Sequence, residues 1–147
     1  PVPVNAAVPV ETYKPSKASD AALPDGGLKY TQISIVCKQN KFETLKRSLA
    51  DIGVTGITVT QVLGCGTQRG AAEYYRGTPV EPSLLPKVKV DVVVCKVPVE
   101  TVITTARKAL YSGHIGDGKI FVYNVEDVVR VRTGEVGYDA LQDNEED

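Results

Sequence analysis

The sequence has few residues of the kinds that build metal centres and covalent frameworks. It contains one histidine and three cysteines (Cys37, Cys65 and Cys95), and no two cysteines are spaced as a CxxC pair. An odd number of cysteines in this arrangement argues against a disulfide framework and against a structural zinc site. We therefore expect a protein of the reducing cytoplasm.

Long apolar runs and an excess of charge of one sign are also missing. No stretch reaches the about 18 apolar residues of a membrane-spanning helix, and the first residues lack the charged start and apolar run of a secretory signal. The 17 basic and 18 acidic residues leave a formal net charge of −1, so the overall charge gives no footprint for nucleic acid. With 147 residues, 42% of them hydrophobic, the chain is suited to one compact domain.

Both ends of the chain differ in composition from the middle. Residues 1–27 hold five of the nine prolines and show no periodicity, which predicts a flexible tail or linker. Residues 139–147 carry five acids and no base, as in a solvated acidic tail. The sequence therefore places a single domain at residues 28–138.

The middle of the chain alternates between strand and helix patterns. Strands are predicted at 30–38, 56–63, 88–97 and 119–125, the first with Ile33, Ile35 and Cys37 on one face. A helix is predicted to begin at Asn40, with Glu43 completing a capping box, and a second helix follows Pro98. The order βαββαβ predicts an α+β, ferredoxin-like fold with both helices on one face of an antiparallel sheet. The uncovered face favours self-association into a symmetric oligomer.

A long segment, 64–86, separates the second and third predicted strands. Hairpin loops usually have about 2–5 residues, and this segment shows neither a helical nor a strand period. Its glycines at 64, 66 and 70 allow backbone amides to approach an anion. Tyr74, Tyr75 and Arg76 are of types enriched at protein interfaces. A functional loop and an incidental insertion both fit these residues.

Two further segments are candidates for binding phosphate. Residues 113–119 read Gly-His-Ile-Gly-Asp-Gly-Lys, in which glycines admit a phosphate and Lys119 supplies a charge. The spacing is not that of a Walker A loop, and a plain connection is the alternative. Arg130 and Arg132 alternate, which in an extended segment places both guanidinium groups on one side, and a surface pair is the alternative.

Taken together, these segments resemble the PII signal proteins over residues 29–138. The match lies in Gly-Val-Thr-Gly-Ile-Thr-Val-Thr (53–60), Gly-Cys-Gly-Thr-Gln-Arg-Gly (64–70), Glu-Tyr-Tyr-Arg-Gly (73–77), Leu-Pro-Lys-Val-Lys (85–89), Gly-His-Ile-Gly-Asp-Gly-Lys-Ile-Phe-Val (113–122) and Val-Arg-Val-Arg-Thr-Gly-Glu (129–135). Each segment by itself is weak, and their common order and spacing make the resemblance strong.

The resemblance implies a homotrimer that binds ATP or ADP in the clefts between subunits. The implied nucleotide-binding residues are Thr58, Gly64, Gly66, Thr67, Arg69, Gly116, Asp117, Gly118, Lys119, Arg130 and Arg132, of which Thr58, Arg130 and Arg132 come from the neighbouring subunit. The implied 2-oxoglutarate site consists of Gln68, Arg69, Gly70, Lys87 and Gly116. Gln68 corresponds to the ligand of the Mg²⁺ ion that joins ATP and 2-oxoglutarate, and Lys87 to the lysine that pairs with the dicarboxylate.

The long segment corresponds to the family's T-loop, which carries the signal to a target. The resemblance assigns target binding to Tyr74, Tyr75 and Arg76, with an ammonium transporter or an enzyme of nitrogen metabolism as the expected target. Membrane association would then arise through a transporter and not by insertion. No convincing catalytic group is present, so we expect a signalling protein and not an enzyme. The alternatives are a PII-like sensor that ignores 2-oxoglutarate and a small nucleotide-dependent enzyme.

The sequence departs from the family pattern at several positions. Val80 stands where some members carry a uridylylated tyrosine, and because valine has no hydroxyl group we expect no uridylylation there. Cys65 replaces an aromatic residue, Gln39 a proline and His114 a lysine, and these changes are candidates for tuning nucleotide affinity.

Overall fold

In a computed structural model of the chain, the described residues are 28–65, 74–75, 78–79 and 84–142. The predicted tail at 1–27 and the end of the acidic tail at 143–147 lie outside them. The elements in chain order are β1 (Tyr30–Lys38), α1 (Phe42–Asp51), β2 (Ile57–Cys65), β3 (Tyr74–Tyr75), β4 (Thr78–Pro79), β5 (Leu84–Val94), α2 (Val99–Leu110), β6 (Lys119–Val125) and α3 (Tyr138–Leu141).

Four of the strands form one antiparallel sheet in the order β2-β5-β1-β6. β5, whose apolar sequence predicted an interior strand, lies between β2 and β1. This order and the βαββαβ succession of the long elements confirm the ferredoxin-like α+β fold. None of the helices in the described part of the chain has both the length and the apolar character needed to cross a membrane.

The hydrophobic core lies between one face of the sheet and the two long helices. The predicted strand face of Ile33, Ile35 and Cys37 is fully buried there. It meets alternate valines of β5 and the apolar stripes of α1 and α2, which include Leu45 and Val102. Period-two alternation in the strands and helical spacing in α1 and α2 thus converge on one core.

The opposite face of the sheet carries polar and charged side chains together with some apolar ones, and within the described residues neither α1 nor α2 covers it. We call it the open face; its members include Gln32, Ser34, Val36 and Lys38 of β1, Thr58, Thr60 and Val62 of β2, Lys87, Lys89, Asp91 and Val93 of β5, and Lys119, Phe121 and Tyr123 of β6. Ser34 donates its hydroxyl proton to Asp91, and the Gln32 amide nitrogen donates to the same carboxylate at 3.4 Å. The open face corresponds to the uncovered sheet face for which the sequence predicted self-association.

Three local predictions are wrong. Residues Gln39–Lys41 form a 3₁₀ turn that runs directly into α1, and Lys41 at the N-cap makes no side-chain capping bond. Asn40 therefore lies inside the turn, and the predicted capping box does not form. β2 and β5 pair as far as Cys65 and Leu84, so both strands extend into what was predicted as loop. The segment was also predicted to hold no strand, whereas β3 and β4 pair with each other.

Candidate functional site

The glycine turn between α2 and β6 is built around backbone conformations that favour glycine. Gly113, Gly116 and Gly118 have φ angles of 82°, 101° and 119°, in the region that L side chains rarely adopt. A β-carbon at Gly118 would lie 2.0 Å from the carbonyl oxygen of Val36. The turn therefore rests directly on the backbone of β1, and only a glycine at position 118 permits this contact.

Asp117 holds the turn together from within. Its carboxylate accepts hydrogen bonds from the Ser112 backbone N–H at 2.8 Å, from the Gly113 N–H at 3.0 Å and from the Ser112 hydroxyl. Burial raises the pKa of this carboxyl, but the hydrogen bonds from Ser112 and Gly113 and the nearby Lys38 ammonium lower it further, so its pKa lies below the ordinary value. Asp117 thus organises the turn through its charged form.

We expect Asp117→Asn to reduce the free energy of unfolding by about 1 kcal/mol at neutral pH, because the amide nitrogen that replaces one of the two carboxylate oxygens cannot accept a hydrogen bond. The folded-state pKa lies below the unfolded one, so the stabilisation is complete above the ordinary aspartate pKa and is lost as the pH falls through the folded value. Urea unfolding of both proteins at a series of acidic pH values measures this. A difference that stays constant with pH would contradict the role of the carboxylate.

Four lysines of the open face surround Val36 beside this turn. Lys38 and Lys87 are directly paired across β1 and β5, and Val36 is flanked by Lys89 on one side and Lys119 on the other. The Lys87 ammonium donates to the Gly116 carbonyl oxygen at 3.2 Å. The nitrogens of Lys38 and Lys87 lie 3.6 and 3.7 Å from the point that a Gly116 β-carbon would occupy. We call Lys38, Lys87 and Lys119, together with the 113–119 turn, the anion corner.

Within the described residues, the three lysines of the anion corner outnumber its one carboxylate, Asp117. Lys89 pairs with Asp91 at 3.9 Å, but in the described part of the chain no ion pair joins Lys38, Lys87 or Lys119 to a carboxylate. Like charges directly opposite on neighbouring strands destabilise a sheet. The arrangement suits the binding of an anion with more than one negative charge.

The thiol beneath this corner does not balance the charge either. Cys37 is fully buried on the core side of β1. Burial raises the pKa of this thiol, and the smaller, opposite effect of Lys87 does not restore it. Cys37 is therefore neutral at neutral pH and contributes packing only.

Lys38 was not among the site residues predicted from the sequence. It stands at the end of β1, where a lysine usually faces solvent, and its sequence neighbours do not indicate a binding role. The strand register, which places it opposite Lys87, does indicate one. Only the pairing of two distant segments identifies it.

A second group of predicted residues lies at the other end of the sheet. Thr58 is paired with Asp91, four residues along β2 from the pairing of Val62 with Lys87. Four strand residues span about 13 Å, at roughly 3.3 Å each. Thr58 and Asp91 line an open cleft of about 720 Å³, whose walls also include parts of β5, the residues after it and the α3 segment.

Arg130 ties the C-terminal segment to this second end. Its guanidinium group donates to Glu135 at 3.0 Å and to the carbonyl oxygen of Asp139 at 3.0 Å. It also donates to the carbonyl oxygen of Gln142, which lines the cleft. The side chain is only 10% exposed, and its bonds hold the C-terminal segment that borders the cleft.

The prediction that Arg130 and Arg132 share one side of an extended segment is wrong. Residues 131–133 form a turn, which the Gly134 N–H closes by donating to the Arg130 carbonyl oxygen at 2.8 Å. Gly134 has a φ of 74°, and this conformation reverses the chain between the two arginines and the residues that follow. Arg132 is exposed in that turn.

Comparison with known proteins decides which family this architecture represents. A family model described as "Nitrogen regulatory protein P-II" matches residues 30–135. The chain belongs to the P-II family of nitrogen regulatory proteins. The P-II protein of Rhizobium meliloti is 48% identical over 110 residues, which cover 75% of this chain and 98% of the relative. GlnK of Escherichia coli strain K12 is 45% identical over 109 residues, which cover 74% and 97%.

Solved P-II structures share the fold. The complex of B. subtilis GlnK with ATP superposes with a TM-score of 0.65 at 40% identity, over 77% of this chain and 96% of that one. Arabidopsis thaliana PII bound to citrate gives a TM-score of 0.63 at 34% identity, over 79% and 93%. The relatives are named as regulatory proteins and not as enzymes.

The structure thus divides the predicted P-II site residues into two groups. Gly64, Lys87 and the 116–119 turn lie together, since a β-carbon at Gly64 would contact the Lys87 side chain at 3.2 Å. Thr58 and Arg130 belong to the other end of the sheet. The predicted residues that lie outside the described ones are Gly66, Thr67, Gln68, Arg69, Gly70, Arg76 and Val80; for Tyr74 and Tyr75 only the backbone pairing is described.

Proposed function

We propose that residues 28–138 form a homotrimeric signal protein of nitrogen and energy status. It binds ATP or ADP in clefts between subunits and, with Mg-ATP bound, 2-oxoglutarate. The anion corner of one subunit forms one wall of each cleft. Thr58, Arg130 and Arg132 of the neighbouring subunit form the other.

The separation of the two groups within one chain is the observation that carries this proposal. Lys119 and Thr58 are functional residues of one expected site, yet they lie on β6 and β2, the two edge strands of the four-stranded sheet. Three interstrand spacings, about 14 Å in all, separate these two strands. The open face lies away from α1 and α2, so a second copy packed on it would bring one copy's Thr58 to the other's anion corner. In a closed ring of identical subunits, every anion corner meets the Thr58 of a neighbouring subunit in the same way.

The anion corner fits the phosphates and the dicarboxylate that the proposal requires. Gly116 and Gly118 bring the backbone close to an anion, and Lys119 supplies a charge beside them. Lys87 and Lys38 offer two ammonium groups to 2-oxoglutarate, so we add Lys38 to the residues predicted from the sequence. Gln68 holds Mg²⁺ between the two ligands, and the amides of Gln68, Arg69 and Gly70 complete the site.

The T-loop carries the output. It extends from the ends of β2 and β5, which are the strands that bear Gly64 and Lys87. The same two strands therefore hold residues of the ligand site and the two ends of the loop. A ligand shifts the loop population only if it binds one loop state more tightly. Tyr74, Tyr75 and Arg76 then contact the target, an ammonium transporter or an enzyme of nitrogen metabolism. The protein acts in the cytoplasm and reaches the membrane only through a transporter.

Subunit complementation tests whether each site is shared. We expect Lys119→Met and Arg130→Met, each removing one wall, to abolish ADP binding in calorimetry when each variant is alone. When the two variants are unfolded, mixed in equal amounts and refolded together, about a quarter of the clefts should regain both walls and bind ADP, by random assembly of a symmetric ring.

Two outcomes would overturn the shared site. Mixed protein with no regained binding would place both residues in one subunit's site. Sedimentation equilibrium should give a mass three times the 15.8 kDa chain; a monomer that binds ADP would also contradict the proposal.

A further inference from the structure

The one histidine of the chain lies in the glycine turn and bonds to the network that shapes it. The His114 backbone N–H donates to the Ser112 hydroxyl oxygen at 3.2 Å, and the imidazole Nδ1 lies 3.3 Å from the same oxygen. Ser112 in turn donates its hydroxyl proton to Asp117. The histidine is thus connected through one serine to the carboxylate that organises the turn.

Counting protons fixes the direction of each bond. A charged carboxylate only accepts hydrogen bonds, and a serine hydroxyl has one proton to give. Because that proton goes to Asp117, the Ser112 oxygen accepts from His114, and Nδ1 must carry a proton. Nε2 is then the ring nitrogen that has no proton in the neutral imidazole.

The charged groups around this histidine are mixed in sign. Asp117, which carries negative charge, is connected to it through Ser112. Lys38 of β1, Lys87 of β5 and Lys119 of β6, the lysines of the anion corner, carry the opposite charge. The Tyr111 hydroxyl lies beside Gly113 and completes the surroundings. An anion that neutralises the lysines would leave the carboxylate as the dominant neighbour.

We propose that His114 is a positioning residue that couples proton uptake to anion binding at the glycine turn. The imidazolium makes a stronger, charge-assisted bond to Ser112, and so holds the Asp117 bonds and the turn in place. It also adds one positive charge to the anion corner. The inference rests on the proposed nucleotide site and adds a dependence on pH to it.

Proton NMR measures the coupling directly, because a single histidine gives one C2–H titration curve. The curve is recorded for the full chain with and without saturating ADP. We expect saturating ADP to move this curve to higher pH, to the extent that corresponds to about fivefold tighter ADP binding by the protonated form, the strength of an exposed charge interaction. An identical curve with and without ADP would overturn the coupling.

Calorimetry with ADP at about pH 6 and about pH 8, the range in which histidine titrates, gives the reciprocal result. ADP's own phosphate also titrates here, so each affinity is compared with that of His114→Gln at the same pH. The ratio of wild-type to variant affinity should be about five times greater at the lower pH, and His114→Lys should keep the advantage at both. A ratio unchanged with pH would refute the role of His114, whereas wild type that binds no ADP at either pH would refute the nucleotide site itself.

Discussion

Replacing Gly118 by alanine is expected to lower the free energy of unfolding by about 3 kcal/mol or more. The new β-carbon would lie 2.0 Å from the Val36 carbonyl oxygen, and the backbone φ of 119° is unfavourable for any L side chain. Neither atom can move without pulling the turn away from β1, since both belong to backbone. We therefore also expect the variant to lose ADP binding.

Gly134→Ala is the matched control for this substitution. Gly134 also has a positive φ, of 74°, but among the described residues no atom beyond its chain neighbours lies within 4 Å of its would-be β-carbon. Gly134→Ala should lower the free energy of unfolding by about 1 kcal/mol, the cost of the left-handed conformation by itself. Urea unfolding of both variants measures the difference. Equal losses in the two variants would show that the close approach of the turn to β1 contributes nothing to stability.

Replacing Lys87 by methionine is expected to weaken 2-oxoglutarate binding in the presence of Mg-ATP at least thirtyfold, because removing one partner of a partly buried charge pair costs about 2 kcal/mol or more. Lys87 is held by the Gly116 carbonyl oxygen, so its ammonium group is already in position. Lys38→Met should weaken binding by about tenfold, since this lysine contacts the same point without that hydrogen bond.

The control removes a lysine far from the open face. Lys108 is exposed in the last turn of α2, so Lys108→Met changes the net charge equally but should leave the affinity unchanged. Calorimetric titration of 2-oxoglutarate compares the three variants. A Lys87→Met protein that binds as tightly as Lys108→Met would remove Lys87 from the site.

The sequence predicts the fold well because residues buried on one face of a strand or helix recur at a regular spacing. The buried face of β1 and the apolar stripe of α2 follow simple alternation and helical spacing, and both appear as predicted. Helix capping is less predictable. Asn40 and Glu43 have the spacing of a capping box, yet a 3₁₀ turn leads directly into α1 and takes the place of the cap. A capping box and a 3₁₀ turn are alternative ways to begin a helix, and the spacing of the residues does not reveal which of the two forms.

The candidate site is less visible in sequence because it depends on register. The glycines of the 113–119 turn are recognisable, but the need for Gly118 becomes clear only when Val36 lies beneath it. Lys38 acquires significance only through its pairing with Lys87. Arg130 and Arg132 look like an extended pair until Gly134 reverses the chain.

The most direct test of the account is calorimetric titration of 2-oxoglutarate into the full chain with Mg-ATP, with ADP, and with ATP in the absence of magnesium. The account predicts binding with Mg-ATP only, because the cation must join the dicarboxylate to the phosphates beside Lys87. Nucleotide binding with no response to 2-oxoglutarate under any of these conditions would contradict it and would leave a P-II protein that senses adenine nucleotides alone.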